Sequence, residues 1–226
     1  MGRIVVDGGK AVRSSPMLLA ILGVFAFSAM ASEGFDRLGI DHFIQDYRFP
    51  VLGHLSSLVW FGIISAGSSL LILPVTEIVR RKLDTNNQRL LVWLILAFNV
   101  LLISGVVMFA LAGNFYLALA AYWIAGVFRG CLEPLYTTWL TRNSDPRMRA
   151  TIISMFGQVD AIGQIAGGPG VGYIGTAVSI RAALLTTSAI LTPTILFLFR
   201  ALHLSKEAPV YQANEEEEKP ITISTI

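Results

Sequence analysis

The sequence is short of charge. Only 14% of its 226 residues are Asp, Glu, Lys or Arg, against about 25% in an ordinary soluble domain, which excludes a surface wetted on all sides. The single cysteine, Cys131, excludes an intramolecular disulfide and any multi-cysteine metal site; beside Gly130 in an apolar run, it reads as a packed thiol. The histidines, His42, His54 and His203, fall in expected loops or the tail, so no buried histidine base is expected. There is no GxxxxGK[ST] loop, no zinc-ligand spacing and no Ser-His-Asp set. No metal, no cofactor and no enzyme activity are therefore expected, since a nucleophile with its base is wanting. Basic residues are confined to short loops, which argues against nucleic acid as a partner.

What is present is apolar: 54% of residues are hydrophobic and the mean hydropathy is +0.64, so the solvent is a lipid bilayer. Apolar runs long enough to cross about 30 Å of hydrocarbon lie near Pro16 to Gly34, Ser56 to Val79, Leu90 to Leu111, Phe115 to Leu140, Ala150 to Ala177 and Ile180 to Leu202. They predict an all-α membrane protein of six transmembrane helices occupying residues 16–204. Residues 1–15 read as a polar arm or linker, 35–55 as an acidic loop, and 205–226, with Glu215 to Glu218 consecutive, as a disordered acidic tail. The first run imitates a signal peptide, with a basic start and an Ala29-Met30-Ala31 triplet. The following Ser32 to Leu38 look helical and continuous with it, which favours a retained span. Pro74, Pro134, Pro169 and Pro193 fall inside or near the ends of spans, where neighbouring helices can satisfy the freed carbonyls.

Orientation follows from charge placement. Arg3, Lys10 and Arg13, then Arg80, Arg81, Lys82 and Arg89, then Arg142, Arg147 and Arg149, then Arg200, Lys206 and Lys219 share one side, whereas Arg37, Arg48 and Arg181 face the other. The positive-inside rule then places both termini in the cytoplasm of a multi-pass protein of the inner or plasma membrane. Three helices in each half make the second half inverted relative to the first, a 3+3 inverted repeat.

Chemistry is concentrated between Phe128 and Gly175. Charge inside a span is costly and usually faces a partner or a water-filled cavity. On the fourth span Tyr122, Gly126, Arg129, Glu133 and Tyr136 share a face by their spacing, and Arg129 and Glu133 form an i,i+4 pair able to neutralise itself. On the fifth, Gly157, Asp160, Gln164 and Gly168 share a face, with Arg129 as the nearest cation for Asp160. These residues read as a pathway for substrate or protons (Arg129, Glu133, Tyr122, Tyr136, Asp160, Gln164), or equally as an ion-pair and hydrogen-bond network that pins helices together. Gly163, Gly167, Gly168, Pro169, Gly170 and Gly172 read as a thin, bendable segment for gating or an interface.

These residues resemble the carboxyl-terminal half of a major facilitator superfamily transporter, over about residues 3–204. GQIAGGPGVGYIG, Gly163 to Gly175, is similar to the glycine-proline signature of antiporters in that superfamily, and Arg129-Gly130 to the mid-span arginine of a fourth helix. Glu77 to Lys82 is similar, loosely, to the acidic-basic loop between the second and third helices. SEGFDRL and EPLYTTWL are similar to efflux-type members. The resemblance implies secondary transport of a small solute, proton-coupled and outward. It implies that the first and fourth helices line a cavity with Arg129 and Glu133. It further implies that the second and fifth meet another half, with Asp160 and the glycine run near that seam, and that the third and sixth are peripheral, Asn99 among them. The superfamily's transporter has two such halves, so the chain is expected to be a fragment, a split-gene half or a homodimer partner, the alternative being a non-transporting scaffold or remnant.

Overall fold

The computed structural model describes residues 9–50, 58–82 and 87–205. Six long helices cover most of them: α1 (Pro16–Asp46), α2 (Leu58–Lys82), α3 (Gln88–Leu111), α4 (Phe115–Arg142), α5 (Arg149–Ala177) and α6 (Ile180–Leu204). A helical stretch, 9–14, precedes α1 and buries Val12, so this part of the expected arm is packed. The remainder of the arm, 1–8, and residues 206–226 of the acidic tail lie outside the described residues.

The helix starts are written locally. Ser15 caps α1, its Oγ accepting from the Leu18 amide at 3.3 Å, with Pro16 at the first helical position. Asn87, Asn114 and Ser179 cap α3, α4 and α6 in the same way, accepting from the Leu90, Leu117 and Ala182 amides at 3.1, 2.9 and 3.1 Å. Each side-chain oxygen satisfies one amide that the first turn leaves free.

α1 corrects the expected boundaries. It continues through Asp46, so the loop expected from residue 35 begins a dozen residues later. The reason is a second apolar stripe, Phe35, Gly39, His42 and Phe43, all buried at helical spacing. Polar Asp36, Arg37 and Asp41 fall between them and mask the periodicity in a hydropathy average. The Ala29-Met30-Ala31 triplet lies inside this continuous helix. Glu77 to Lys82, expected in a loop, is the last turn and a half of α2, where Arg81 Nε donates to Glu77 Oε1 at 2.6 Å across one turn.

Five helices are apolar and long enough to cross a membrane by composition: all except α5. α5 has the length, 29 residues, but glycine and Asp160 lower its hydropathy. Its neighbours compensate, because Gly163 and Gly167 bring it close against α1. A Cβ at Gly167 would fall on the Met30 backbone, and one at Gly163 on Ala29 Cβ.

The packing has a symmetry. α1 lies against α5 and α6, α4 lies against α2 and α3, and α3 meets α6. Although the smaller contacts of α5 with α6 and with α4 have no counterpart of the same size among the described residues, exchanging α1 with α4, α2 with α5 and α3 with α6 maps the others onto one another. That is the mark of two inverted three-helix units, each lending its second and third helices to the first helix of the other. α2 is the least covered helix, with only 11% of its apolar window buried, and α5 buries only five residues.

Candidate functional site

α1 and α4 approach each other at mid-span, and α5 flanks them. Between the three lies a cavity of about 410 Å³, floored by residues of α3 and α6. Its walls are mainly apolar and aromatic, with Phe25 and Phe35 from α1 and Phe156 from α5. Into it project Arg129, Glu133 and Tyr136 from α4, and Asp160 and Gln164 from α5. Five of the six side chains expected on a pathway are thus brought together. Tyr122 is not among them: it stacks on Phe35 with centroids 5.1 Å apart and packs against Phe43 and Phe109. Gly126 also leaves the shared face and lies beside Ser68 of α2.

The pairing within the cavity differs from the expected one. Arg129 does not bond to Glu133; its two terminal nitrogens engage both carboxylate oxygens of Asp36 on α1. A carboxylate on a facing helix meets the planar guanidinium fork end-on, which a residue one turn away on the same helix cannot do as well. The guanidinium also lies 5.9 Å from the centre of the Phe35 ring. Glu133 is exposed to the cavity, and no side-chain bond to it occurs among the described residues. Asp160 accepts from Gln164 Nε2 at 2.9 Å, and Arg129 and Glu133 are near enough to act on it electrostatically.

Asp160 and Gln164 therefore line the same cavity as Glu133. Gly163 and Gly167 press α5 onto α1 and turn Asp160 toward α4. The glycine run divides for the same reason. Gly163 and Gly167 are buried internal contacts, and Gly168 touches the Glu33 side chain, whereas Pro169 is exposed and a Cβ at Gly170 or Gly172 would meet nothing. Cys131 is buried, its Sγ 3.6 Å from Thr76 Oγ1 on α2.

Beneath the cavity runs a polar network absent from the sequence reading. The Tyr136 hydroxyl donates to Asn99 Oδ1 at 2.9 Å and lies 3.4 Å from Ser28 Oγ. Asn99 Nδ2 donates to the Ile95 carbonyl at 2.9 Å, and Thr194 Oγ1, which donates to the Leu191 carbonyl at 2.6 Å, lies 3.4 Å from Asn99 Oδ1. Asn99, expected at the periphery, is fully buried where α1, α3, α4 and α6 converge. Asn99→Ala is expected to cost about 1 kcal/mol, the scale of interhelical hydrogen bonds in membranes, and Tyr136→Phe about half of that. Chemical unfolding of the detergent-solubilised chain reads both, and a larger loss from Tyr136→Phe would contradict Asn99 as the hub.

Two groups were missed, Asp36 and His42. Asp36 was hidden because the first span was ended at Gly34; the helical continuity of Ser32 to Leu38 was the signal that could have found it. His42, expected in a loop, is fully buried in α1.

A family model described as Major Facilitator Superfamily matches residues 89–225. The match covers more than half of the chain, which belongs to that superfamily and is a multi-pass membrane protein of a transporter class. No curated protein matches the chain.

Proposed function

We propose that the chain is one half of a secondary transporter that moves a small solute through the cavity between α1 and α4, coupled to protons and directed outward. The observation that carries this reading is Glu133, a carboxylate that opens onto an apolar cavity with no side-chain partner among the described residues, with Asp160 beside it. A carboxylate in such a place exchanges a proton or holds a cationic group more readily than one locked in an ion pair. Arg129, held by Asp36, orients the cavity wall, and Tyr136 and Gln164 supply its neutral polar contacts.

The cavity is completed by a second half, another chain segment or a second copy, against α2 and α5. Support comes from their exposure: Leu70 and Leu73 on α2, and Ile162, Ile165 and Tyr173 on α5, are between 65% and 73% exposed. Pro169, Gly170 and Gly172 bend and slide at that contact. Both termini lie in the cytoplasm, and residues 16–204 form the membrane domain between an arm and an acidic tail.

The test is flux of small fluorescent solutes in vesicles containing the chain, alone and with a partner half, with and without a pH gradient. Wild-type flux is expected to follow the gradient, and Asp160→Asn and Glu133→Gln to lose that dependence. Undiminished gradient-driven flux in both variants would sink the coupling role. Absence of flux in every arrangement would leave a scaffold in which the polar stripe only pins helices.

A further inference from the structure

We propose that His42 is a proton-binding site outside the cavity, where it and Tyr47 form a two-position hydrogen-bond switch on the carbonyls that end α3. His42 lies in the last full turn of α1, away from the cavity lining, with its ring fully buried. It packs edge-to-face on Phe109 at 4.8 Å and on Tyr47 at 5.2 Å. Nδ1 is 2.6 Å from Asp46 Oδ2, one turn on, and Nε2 is 3.2 Å from the Phe109 carbonyl oxygen. The Tyr47 hydroxyl donates to the Ala112 carbonyl at 2.8 Å and also lies 3.3 Å from His42 Nε2.

Each ring nitrogen thus faces one oxygen that can only accept, Asp46 Oδ2 for Nδ1 and the Phe109 carbonyl for Nε2, and Nε2 also faces the Tyr47 hydroxyl. A neutral imidazole has one N–H and one lone pair, whereas the imidazolium has two N–H groups. With the proton on, Nδ1 donates to Asp46, Nε2 donates to Phe109, and the Tyr47 hydroxyl is free to hold Ala112. With the proton off, the Nε2 lone pair faces the Phe109 carbonyl. It is then satisfied only if the Tyr47 hydroxyl turns from Ala112 to Nε2. One proton therefore decides which of two acceptors a single hydroxyl serves, and whether the Phe109 carbonyl, which accepts from the Ala112 amide at 3.3 Å, gains a second donor.

The charged groups around the site are few. Asp46 belongs to α1, and its Oδ1 lies 3.8 Å from Arg181 Nε at the start of α6; α3 contributes only carbonyls, favourable to a cation at a helix C-terminus. Burial pushes the Tyr47 phenol above its ordinary value, against the opposing charge of Arg181, so the hydroxyl keeps its proton through the range in which an imidazole titrates. The switch ties α1, α3 and α6 together at one end of the bundle, apart from the carboxylates proposed for coupling, and it does not depend on their role.

The experiment is a histidine-labelled NMR titration of the full chain in nanodiscs, carrying His54→Asn and His203→Asn so that His42 is the single imidazole. Its ring nitrogens are expected to pass, as the pH is raised, from two N–H groups to an Nδ1–H tautomer. Asp46→Asn removes the partner of the charged form and is expected to lower the midpoint by about one unit. Tyr47→Phe removes the donor that serves the neutral form and is expected to raise it by about half a unit. Opposite shifts confirm the switch. A ring that keeps one protonation state throughout the titration, or two variants that shift the midpoint in the same direction, overturns it.

Discussion

Gly167→Ala is expected to destabilise the bundle by about 3 kcal/mol, the upper part of the range for overpacking. The added methyl group would fall on the Met30 carbonyl, carbon and Cα, and backbone inside a helix cannot swing aside as a side-chain terminus can. Relief requires α5 to move away from α1, and that movement opens the contact that also orients Asp160. Gly170→Ala on the same helix is the control. Its methyl group would meet nothing within 4 Å, and alanine favours helix over glycine by up to about 1 kcal/mol, so this variant is expected to be as stable as the parent or slightly more so. Unfolding of both variants in one detergent makes the comparison, and equal losses would contradict the division of the glycine run. If Gly170 faces a second half, Gly170→Ala is expected to lower flux in the assembled transporter without weakening the isolated chain.

Asp36→Asn is expected to cost about 2 kcal/mol. Removing one partner of a buried ion pair costs about 3–5 kcal/mol because a charge is stranded, and here the discount is for exposure. The side chains of Arg129 and Asp36 are 34% and 51% exposed, so water entering from the cavity screens part of the interaction. Asp36→Asn combined with Arg129→Gln is expected to recover most of the loss, because no charge is left behind, and the double-mutant cycle isolates the pair. Flux separates stability from function. The double variant is expected to fold well and still transport poorly, because the role proposed for Arg129 in the cavity wall is lost with it. Full recovery of flux would reduce the pair to a fastening between α1 and α4.

The spans were legible because lipid permits few solutions. A backbone crossing hydrocarbon must satisfy its own amides, so length and apolarity reveal a helix without any knowledge of its neighbours. The exceptions are instructive. α5 is the span that composition supports least, and it stands because Gly163 and Gly167 admit α1 to close range. α1 outruns its apolar core because Phe35, Gly39, His42 and Phe43 keep one face buried beyond the first charges. Hydropathy averages over all faces of a helix, whereas burial selects one.

The candidate site was legible as a set of residues but not as a set of bonds. Arg129, Glu133, Tyr136, Asp160 and Gln164 stood out because charge and polarity in a span demand a reason. Their partners did not stand out, because a partner on another helix has no fixed separation in sequence. Arg129 meets Asp36 across 93 positions, and Tyr136 meets Asn99 across 37. The sequence by itself determined a six-helix membrane protein with inverted halves and a charged fourth-to-fifth hairpin, since those follow from local composition and helix count. Only the tertiary structure decided that Asp36 holds Arg129, that Glu133 has no side-chain bond among the described residues and that His42 is buried against the end of α3, because each depends on which faces of distant helices meet.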